Sequence, residues 1–243
     1  MKAPKAMVLA AGLGTRLRSL TATRPKALVE VADRTLLEIT LARLREFGVR
    51  DVIINVHHFA DMIVDYLKAH ENFGMNLEIS REDILLDTGG GLKKAGWFFA
   101  NDAEPFILHN VDVISSIDLQ RMLDSHRKTD ALATLAIQDR ATWRYLIFDE
   151  RLELCGRRLV REQKLEMVRS AENTQEFAFA GIHIISPRLI PLLAETGSFS
   201  IITSYLRLAG IPERITGFPA DEYSWRDLGT PESLSEARAE LGE

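Results

Sequence analysis

A glycine-rich turn directly behind a short apolar run constrains this chain more than any other stretch of its sequence. Residues 6–10 are apolar and strand-like, and Gly12, Gly14 and Arg16 come closely after them. Glycines have no Cβ, so backbone N–H groups can approach an anion there, and the arginine adds a permanent positive charge. Lys26 supplies a second, compact charge that suits a different oxygen of a polyphosphate. The stretch therefore indicates a strand that ends in a phosphate-binding loop.

The spacing of these residues separates three glycine-rich motifs. A P-loop needs lysine and then serine or threonine directly after its second glycine, whereas Gly14 is followed by threonine and arginine, so a P-loop is excluded. A dinucleotide-binding motif needs a third glycine where this chain has Leu17. Its ribose-binding acid should end a second strand, but Glu30 and Asp33 lie in a segment of unclear structure. The dinucleotide interpretation is therefore weak.

The remaining pattern resembles a known family. Leu-Ala-Ala-Gly-Leu-Gly-Thr-Arg-Leu at 9–17, with Arg-Pro-Lys-Ala-Leu at 24–28, is similar to the signature of the sugar-1-phosphate nucleotidylyltransferases. The match is specific because the glycines, the arginine and the later Pro-Lys occur together and in order. The alternative is an ordinary glycine turn with Arg16 and Lys26 as solvated charges. The resemblance implies an enzyme that transfers a nucleotidyl group from an NTP to a sugar 1-phosphate and releases pyrophosphate.

Strand and helix patterns alternate through the first half of the chain, which predicts a doubly wound, mostly parallel α/β sheet of Rossmann-like type. The predicted strands there are 6–10, 51–56, 77–80, 105–109 and 131–138. The predicted helices are 35–47, 60–69, 91–100 and 118–128. The second half predicts a mixed-strand lobe, with strands at 145–148, 152–155, 176–185 and 214–218 and helices at 187–193, 201–208 and 231–241. The resemblance, to the nucleotide-diphospho-sugar transferase fold, covers this arrangement end to end.

Composition sets limits on organisation and partners. With 243 residues, 46% of them hydrophobic, the chain can bury a sizeable core, and we expect one domain over 1–243. About 1–138 would form a nucleotide-binding half and about 139–243 a sugar-binding half. A net charge of −5 argues against nucleic-acid or membrane-surface binding. A single cysteine, Cys155, and no apolar run of about 18 residues predict a cytoplasmic protein. We expect it to be a monomer or a small homo-oligomer.

Two acidic residues are candidates for holding a metal. Asn110 and Asp112 come after an apolar strand, and ligands bind at the carboxyl edge of parallel sheets. A carboxylate beside a triphosphate can hold Mg²⁺, although Asp112 could instead cap a helix or sit in a turn. The segment Trp-Arg-Asp-Leu-Gly-Thr at 225–230 is similar to a family element whose aspartate is the second metal ligand. The resemblance therefore implies Mg²⁺ shared by Asp112 and Asp227.

A run of three glycines forms a third element, Asp-Thr-Gly-Gly-Gly at 87–91. It predicts a loop that opens the next helix, and Thr88 could serve as the N-cap. Three consecutive glycines exceed what a cap requires, so close approach of a flat ligand is the preferred explanation. Family members place the nucleobase against such a loop. This version looks most like the N-acetylmuramate-1-phosphate uridylyltransferases, with small mannose-1-phosphate guanylyltransferases as further similar enzymes.

The resemblance also implies roles for individual residues. Arg16 would hold the β- and γ-phosphates, while Lys26 would sit nearer the α-phosphate and the sugar phosphate, with Asp112 as the third catalytic residue. Substrate contacts are predicted for Asn110, Gly181 and Arg144, although Gly181 could be an ordinary strand residue and Arg144 a surface arginine. The predicted nucleotide-binding residues are Ala10, Ala11, Gly12, Gly14, Thr15, Thr88, Gly89 and Gly90. The aromatic residues Trp97, Phe98 and Phe99 are expected in the core.

Some features leave the substrate open. Val111 stands where relatives often have glycine, Glu30 replaces a common proline, and the Glu-Lys-Pro sugar element is missing near 158–166. The identities of the sugar and the base therefore stay undetermined. Two alternatives remain: a non-catalytic nucleotide-sugar sensor, and a phosphocholine cytidylyltransferase that shares part of the signature.

Overall fold

The computed structural model describes residues 3–241, apart from the side chains of residues 18, 19 and 241. Its six α-helices within that range are α1 (Leu36–Glu46), α2 (Ala60–Ala69), α3 (Asp87–Ala95), α4 (Leu119–Thr129), α5 (Ile201–Ala209) and α6 (Pro231–Leu241). The first seven strands are β1 (Ala6–Leu9), β2 (Glu30–Val31), β3 (Arg34–Thr35), β4 (Asp51–Val56), β5 (Asn76–Arg81), β6 (Phe106–Asn110) and β7 (Val113–Ser115). The remaining strands are β8 (Ala133–Gln138), β9 (Arg144–Asp149), β10 (Leu154–Leu159), β11 (Lys164–Met167), β12 (Thr174–Ile185), β13 (Ile215–Pro219) and β14 (Trp225–Asp227).

The central sheet joins a parallel region to a mixed one. Strands β5, β4, β1 and β6 lie side by side and run parallel. The long strand β12 then pairs antiparallel with β6, and it also pairs with β8 and β9. Strands β10 and β11 extend the sheet from β9, and β13 pairs parallel with β8. The predicted mostly parallel first half and mixed second half are both confirmed.

Apolar layers cover both faces of this sheet, which explains why its central strands are continuously hydrophobic. Successive side chains of a strand point to opposite faces. In β1, Val8 therefore packs in the layer that contains α1, whereas Met7 packs in the layer that contains α3 and α5. Because β1, β4 and β6 run parallel, the loops at their carboxyl ends lie at one edge of the sheet, where the candidate site is found.

Local capping signals fix several helix boundaries. Helix α1 begins after Thr35, whose Oγ1 accepts a hydrogen bond from the Glu38 backbone N–H at 3.1 Å. It ends before Gly48, whose φ of 98° is the left-handed conformation typical of a glycine that ends a helix. Helices α2 and α6 have the predicted boundaries. No helix within the described range is long and apolar enough to cross a lipid bilayer.

Helix α3 differs from the prediction at both ends. It begins at Asp87 rather than at residue 91, and it ends at Ala95, after which Gly96–Phe98 forms a short 3₁₀ turn. The three consecutive glycines therefore lie inside the helix and not in a loop before it. The predicted core position of Trp97 is wrong, because this side chain is 58% exposed. Phe99 is buried as predicted and stacks on Phe106.

Candidate active site

The loop after β1 folds back on itself around Gly14. This glycine has a φ of 65°, and a Cβ at its position would lie 2.8 Å from Thr21 Cγ2 and 3.1 Å from Lys26 Cβ. The Thr21 hydroxyl donates a hydrogen bond to the Gly14 carbonyl at 2.9 Å. Both the backbone conformation and the close packing require glycine here. The turn brings Lys26 back beside the start of the loop.

Gly12 has a different environment from Gly14. It is exposed, and no atom lies within 4 Å of the place where its Cβ would be. The surrounding protein therefore does not need glycine at this position. An alanine here would meet open space beside the cavity that the loop lines, which agrees with a role in ligand approach.

A cavity of about 370 Å³ lies against this loop. Ten of the predicted site residues line it: Ala10, Ala11, Gly12, Gly14, Thr15, Arg16, Lys26, Thr88, Asn110 and Asp112. The wall also includes residues that were not among the predicted site residues, namely Leu9, Asn55, Glu82, Leu85, Asp87, Val111, Ser198 and Gly229. Its volume falls in the range of small-molecule sites. The predicted edge of the sheet is therefore where the predicted groups meet.

The two predicted acids lie close together: Asp112 lines the cavity, whereas Asp227 is not among the residues that line it. Strand β14 pairs antiparallel with β7, which aligns Asp227 with Val113, and the Leu228 backbone N–H donates to the Asp112 carbonyl at 2.8 Å. Lys26 Nζ forms an ion pair with Asp112. Arg16 Nη2 lies 3.9 Å from Asp227 Oδ2. Four charged groups predicted from distant parts of the chain are thus brought together.

The electrostatics of this group favour a cation. Burial raises the pKa of Asp227, the negative charge of Asp112 raises it further, and Lys26 and Arg16 partly oppose the shift. Two neighbouring carboxylates in a half-buried place repel each other unless positive charge lies between them. Mg²⁺ is commonly held by one or two protein carboxylates together with phosphate oxygens and water. Asp112 and Asp227 have the donor chemistry for that ion.

No cluster of three or more histidine, cysteine, aspartate and glutamate side chains suited to a metal occurs in the part of the chain that the structure describes. A site of two carboxylates depends on further oxygens from the substrate. This agrees with an ion that would be held jointly by protein and nucleotide.

The three glycines of α3 pack against other parts of the protein. A Cβ on Gly89 would overlap the ring of Phe199, and one on Gly90 would lie 2.5 Å from the Gly197 carbonyl oxygen. The backbone N–H groups of both glycines donate to the Phe199 carbonyl, at 2.9 and 3.3 Å. Close approach of a flat ligand is therefore the wrong reason for the glycine run. The close packing of α3 against the segment before α5 accounts for it.

Neither Gly89 nor Gly90 is among the residues that line the cavity, whereas Asp87 and Thr88 are. The Thr88 hydroxyl accepts a hydrogen bond from the Ile201 backbone N–H at 2.9 Å. Thr88 therefore links the first turn of α3 to the first turn of α5, close to Ser198 in the cavity wall. Nucleotide contacts by the two glycines stay a prediction without support from these contacts.

A buried polar pair joins the first loop to α3, and no sequence motif had indicated it. Asn55 Oδ1 accepts from the Ala10 backbone N–H at 2.8 Å, and Asn55 Nδ2 donates to Glu82 Oε1 at 2.8 Å. Glu82 Oε2 accepts from the Leu86 backbone N–H at 2.9 Å. A Cβ on Gly91 would lie 2.7 Å from Glu82 Oε1, which explains the third glycine of the run. The signal in the sequence was a single asparagine inside an otherwise apolar strand.

The predicted substrate residues lie in different surroundings. Gly181 has a φ of 76°, and its Cβ would lie 3.0 Å from Asn110 Nδ2 and 2.8 Å from Val113 Cγ2. It therefore needs to be glycine and lies beside Asn110. Arg144 is exposed at the first residue of β9 and is not among the residues that line the cavity. The alternative of a surface arginine describes its position better.

Comparison with known proteins gives a consistent result. The nucleotidyl transferase family profile matches residues 5–145. The whole chain is 34% identical over 252 aligned residues to an N-acetylmuramate alpha-1-phosphate uridylyltransferase of Caulobacter vibrioides, covering 99% of that protein. It is 28% identical to a mannose-1-phosphate guanyltransferase of Yarrowia lipolytica, with 95% of this chain aligned. This chain spans 62% of that longer enzyme.

Solved structures share the fold at lower identity. A UDP-glucose pyrophosphorylase complexed with UDP-glucose aligns with a TM-score of 0.78 at 20% identity, covering 98% of this chain and 97% of its own. HddC from Yersinia pseudotuberculosis, complexed with GMP-PN, aligns with a TM-score of 0.77 at 22% identity, covering 98% and 99%. These matches agree with an α/β sheet that has a parallel core and a mixed extension.

Proposed function

This chain belongs to the nucleotidyl transferase family, and from that premise we propose that it transfers a nucleotidyl group from an NTP to a sugar 1-phosphate. The observation that carries the proposal is the cluster of Arg16, Lys26, Asp112 and Asp227, the first three of which line one cavity behind a glycine-rich loop. The two similar enzymes act on sugar 1-phosphates by name, which favours a sugar over phosphocholine. Binding alone would not need both acids, which disfavours a sensor.

The first candidate pair of substrates is N-acetylmuramate 1-phosphate with UTP. It is supported by the identity of 34% over the full length of the Caulobacter vibrioides enzyme. Mannose 1-phosphate with GTP is the second candidate, because guanyltransferases match over 95% of this chain. A cytoplasmic location and a monomer or small homo-oligomer remain expectations from the sequence.

In the proposed reaction, a phosphate oxygen of the sugar 1-phosphate attacks the α-phosphorus of the NTP. A new P–O bond forms while the bond to the β-phosphate oxygen breaks, and pyrophosphate leaves. No protein nucleophile is required, so the protein contributes positioning and charge neutralisation. Arg16, exposed at the mouth of the loop, would bind the β- and γ-phosphates.

Lys26 and the acids would act at the reacting phosphorus. Lys26 is 8% exposed and paired with Asp112, so its ammonium is held in the wall of the cavity. There it can donate to the oxygens of the α-phosphate, where negative charge develops. Mg²⁺ on Asp112 and Asp227 would neutralise phosphate charge and orient the triphosphate. Gly181 and Asn110 would border the sugar.

A pyrophosphate-release assay tests the proposal. Purified protein with Mg²⁺ is supplied with UTP, GTP, CTP, ATP and dTTP in turn, each with a series of sugar 1-phosphates and with phosphocholine. We expect the strongest signal from UTP with N-acetylmuramate 1-phosphate. A signal with GTP and mannose 1-phosphate alone would transfer the assignment to the second candidate. Nucleotide binding with no pyrophosphate release in any combination would contradict an enzymatic role.

A further inference from the structure

A bend in β12 lies directly behind the candidate site. The pairing of β12 with β8 is interrupted between Phe179 and His183. Two side chains bind to carbonyls at the start of this interruption: Arg140 Nη2 donates to the Phe179 carbonyl at 2.9 Å, and Trp225 Nε1 donates to the Ala180 carbonyl at 2.7 Å. Backbone carbonyls that lose their sheet partners need other donors. Arg140 and Trp225 therefore stabilise the bend.

The same two side chains also contact each other. The guanidinium carbon of Arg140 lies 3.8 Å from the centroid of the Trp225 ring, a close cation–π stack. Burial lowers the pKa of Arg140, and the charge of Asp227 opposes this shift. Its Nε is buried and has no hydrogen-bond partner among the described residues. The guanidinium is thus partly buried in a stacked position, where the charge of Asp227 acts on it.

Trp225 also lies on the strand that carries one of the two acids. Trp225 and Asp227 are two residues apart in β14, so their side chains lie on the same face of that strand. The Ala180 carbonyl that Trp225 binds precedes Gly181, whose backbone lies beside Asn110. The stacked pair of Arg140 and Trp225 therefore contacts both the strand that carries Asp227 and the bend that carries Gly181.

We propose that Arg140 is a positioning residue of the transfer site. By stacking on Trp225 and binding the Phe179 carbonyl, it holds Asp227 where it can share a divalent cation with Asp112 and holds Gly181 where the sugar 1-phosphate would lie. This inference rests on the proposed function for the identity of the sugar site. The role needs a guanidinium, because one planar group must stack through its face and donate through its edge. A lysine at this position can do only one of the two.

Metal binding tests the role without any turnover. The probe is Mn²⁺, measured by electron paramagnetic resonance in the presence of a non-hydrolysable NTP analogue, in wild type, Arg140→Met and Arg140→Lys. The matched control is Arg121→Met, because Arg121 also lies over an aromatic ring of this segment, Tyr223, at 5.9 Å, but is exposed. We expect both Arg140 variants to weaken Mn²⁺ binding by about 10-fold, as loss of an outer partner of a metal ligand does. The control should bind as wild type does.

A structural role alone predicts a different pattern. Loss of stability would lower the melting temperature and weaken metal-free binding of the NTP analogue, so both are measured. The proposal expects that binding to stay within about twofold of wild type while Mn²⁺ affinity falls. Should Arg140→Met fail to fold, Arg140→Lys decides, since its aliphatic chain keeps most of the packing. Mn²⁺ binding by the folded variant equal to that of Arg121→Met would overturn the proposal.

A double-mutant cycle identifies the partner. If Arg140 acts through Trp225, Arg140→Met should add little to the loss of Mn²⁺ affinity in a Trp225→Leu background. Additive losses would contradict the mechanism.

Where wild type proves active, Arg140→Met should raise the KM for the sugar 1-phosphate more than the KM for the NTP. If wild type releases no pyrophosphate, the Mn²⁺ measurements still test Arg140, so failure of the proposed function and failure of this inference are told apart.

Discussion

In the parallel half of the sheet, the loop that faces the cavity comes from one continuous stretch of sequence, whereas the mixed half contributes through segments far apart in the chain. The turn at 9–16 comes directly after β1, and Gly14 alone accounts for much of its shape. On the other side, Trp225 reaches Ala180 across 45 residues and Arg140 reaches Phe179 across 39. The comparison indicates that the glycine-rich loop is specified locally, while the positions of Asp227 and Gly181 depend on the packing of the whole lobe.

The largest effect is expected where the two halves meet, at Lys26 and Asp112. Lys26→Ala and Asp112→Ala should each reduce kcat by about 10³-fold, since each removes charge complementary to the transition state. Both variants should stay folded, because the ion pair lies in the wall of the cavity and not within an apolar layer of the core. Steady-state pyrophosphate release and circular dichroism measure the two quantities. Lys68→Ala, an exposed lysine on α2, is the control and should behave as wild type does. Near-normal turnover in either site variant would refute the assignment.

The stability of the protein should also fall in acid, because of two histidines where the parallel half of the sheet meets the mixed half. Burial lowers the pKa of His109 to about 4 and that of His183 to about 3, and these residues lie on the paired strands β6 and β12. The unfolded chain takes up protons below pH of about 6.5 while the folded protein does not, so stability is lost as the pH falls. At pH 5 the loss is of order 2 kcal/mol for each histidine.

Urea unfolding at pH 7.5 and pH 5 measures this dependence. His183→Asn should unfold more easily at pH 7.5, because it loses the hydrogen bond with the Tyr205 hydroxyl, but should show a smaller difference between the two pH values. His58→Gln, at an exposed position, should leave the difference unchanged. An unaltered pH dependence in His183→Asn would mean that this histidine is protonated alike in the folded and unfolded states.

Two glycine variants separate packing from ligand approach. Gly89→Ala should destabilise the protein by about 1–3 kcal/mol, because its methyl group would overlap Phe199. Gly12→Ala should leave the melting temperature nearly unchanged, since no protein atom lies within 4 Å of that position, but should raise the KM for the NTP. Thermal unfolding and kinetics of both variants provide the test. The reverse pattern would restore ligand approach as the reason for the glycine run.

The smallest expected change is in stability, and it comes from the repulsion between Asp112 and Asp227. Asp227→Asn removes one of two neighbouring charges, so the metal-free protein should become more stable by about 0.5–2 kcal/mol while activity is lost. Thermal unfolding in EDTA and in Mg²⁺ with NTP measures both states. The stabilisation that Mg²⁺ gives to wild type should be absent in this variant. A destabilised metal-free variant would show that the Gly229 hydrogen bond to Asp227 outweighs the repulsion.

Sequence patterns predicted the elements whose structure depends on interactions between residues close together in the chain. The capped helix α1, the apolar strands and the glycine loop result from side-chain periodicity and backbone sterics, which act over a few residues. The start of α3 was misplaced because three glycines favour a loop by propensity, and only burial against Phe199 and Glu82 makes a helix the better choice there. Arg140 carried no local signal, since its role arises from a stack on a residue of β14.

The sequence by itself determined the glycine-rich loop, the order of the longer strands and helices, and the family to which the resemblance pointed. Those properties depend on residue types at short spacings. The tertiary structure alone decided that Asn55 and Glu82 link the loop to α3 by hydrogen bonds. It also decided that Arg140 stacks on Trp225 and so stabilises the strand that carries Asp227. These contacts join segments whose meeting depends on how the complete sheet pairs and packs, and no short stretch of the chain encodes that pairing.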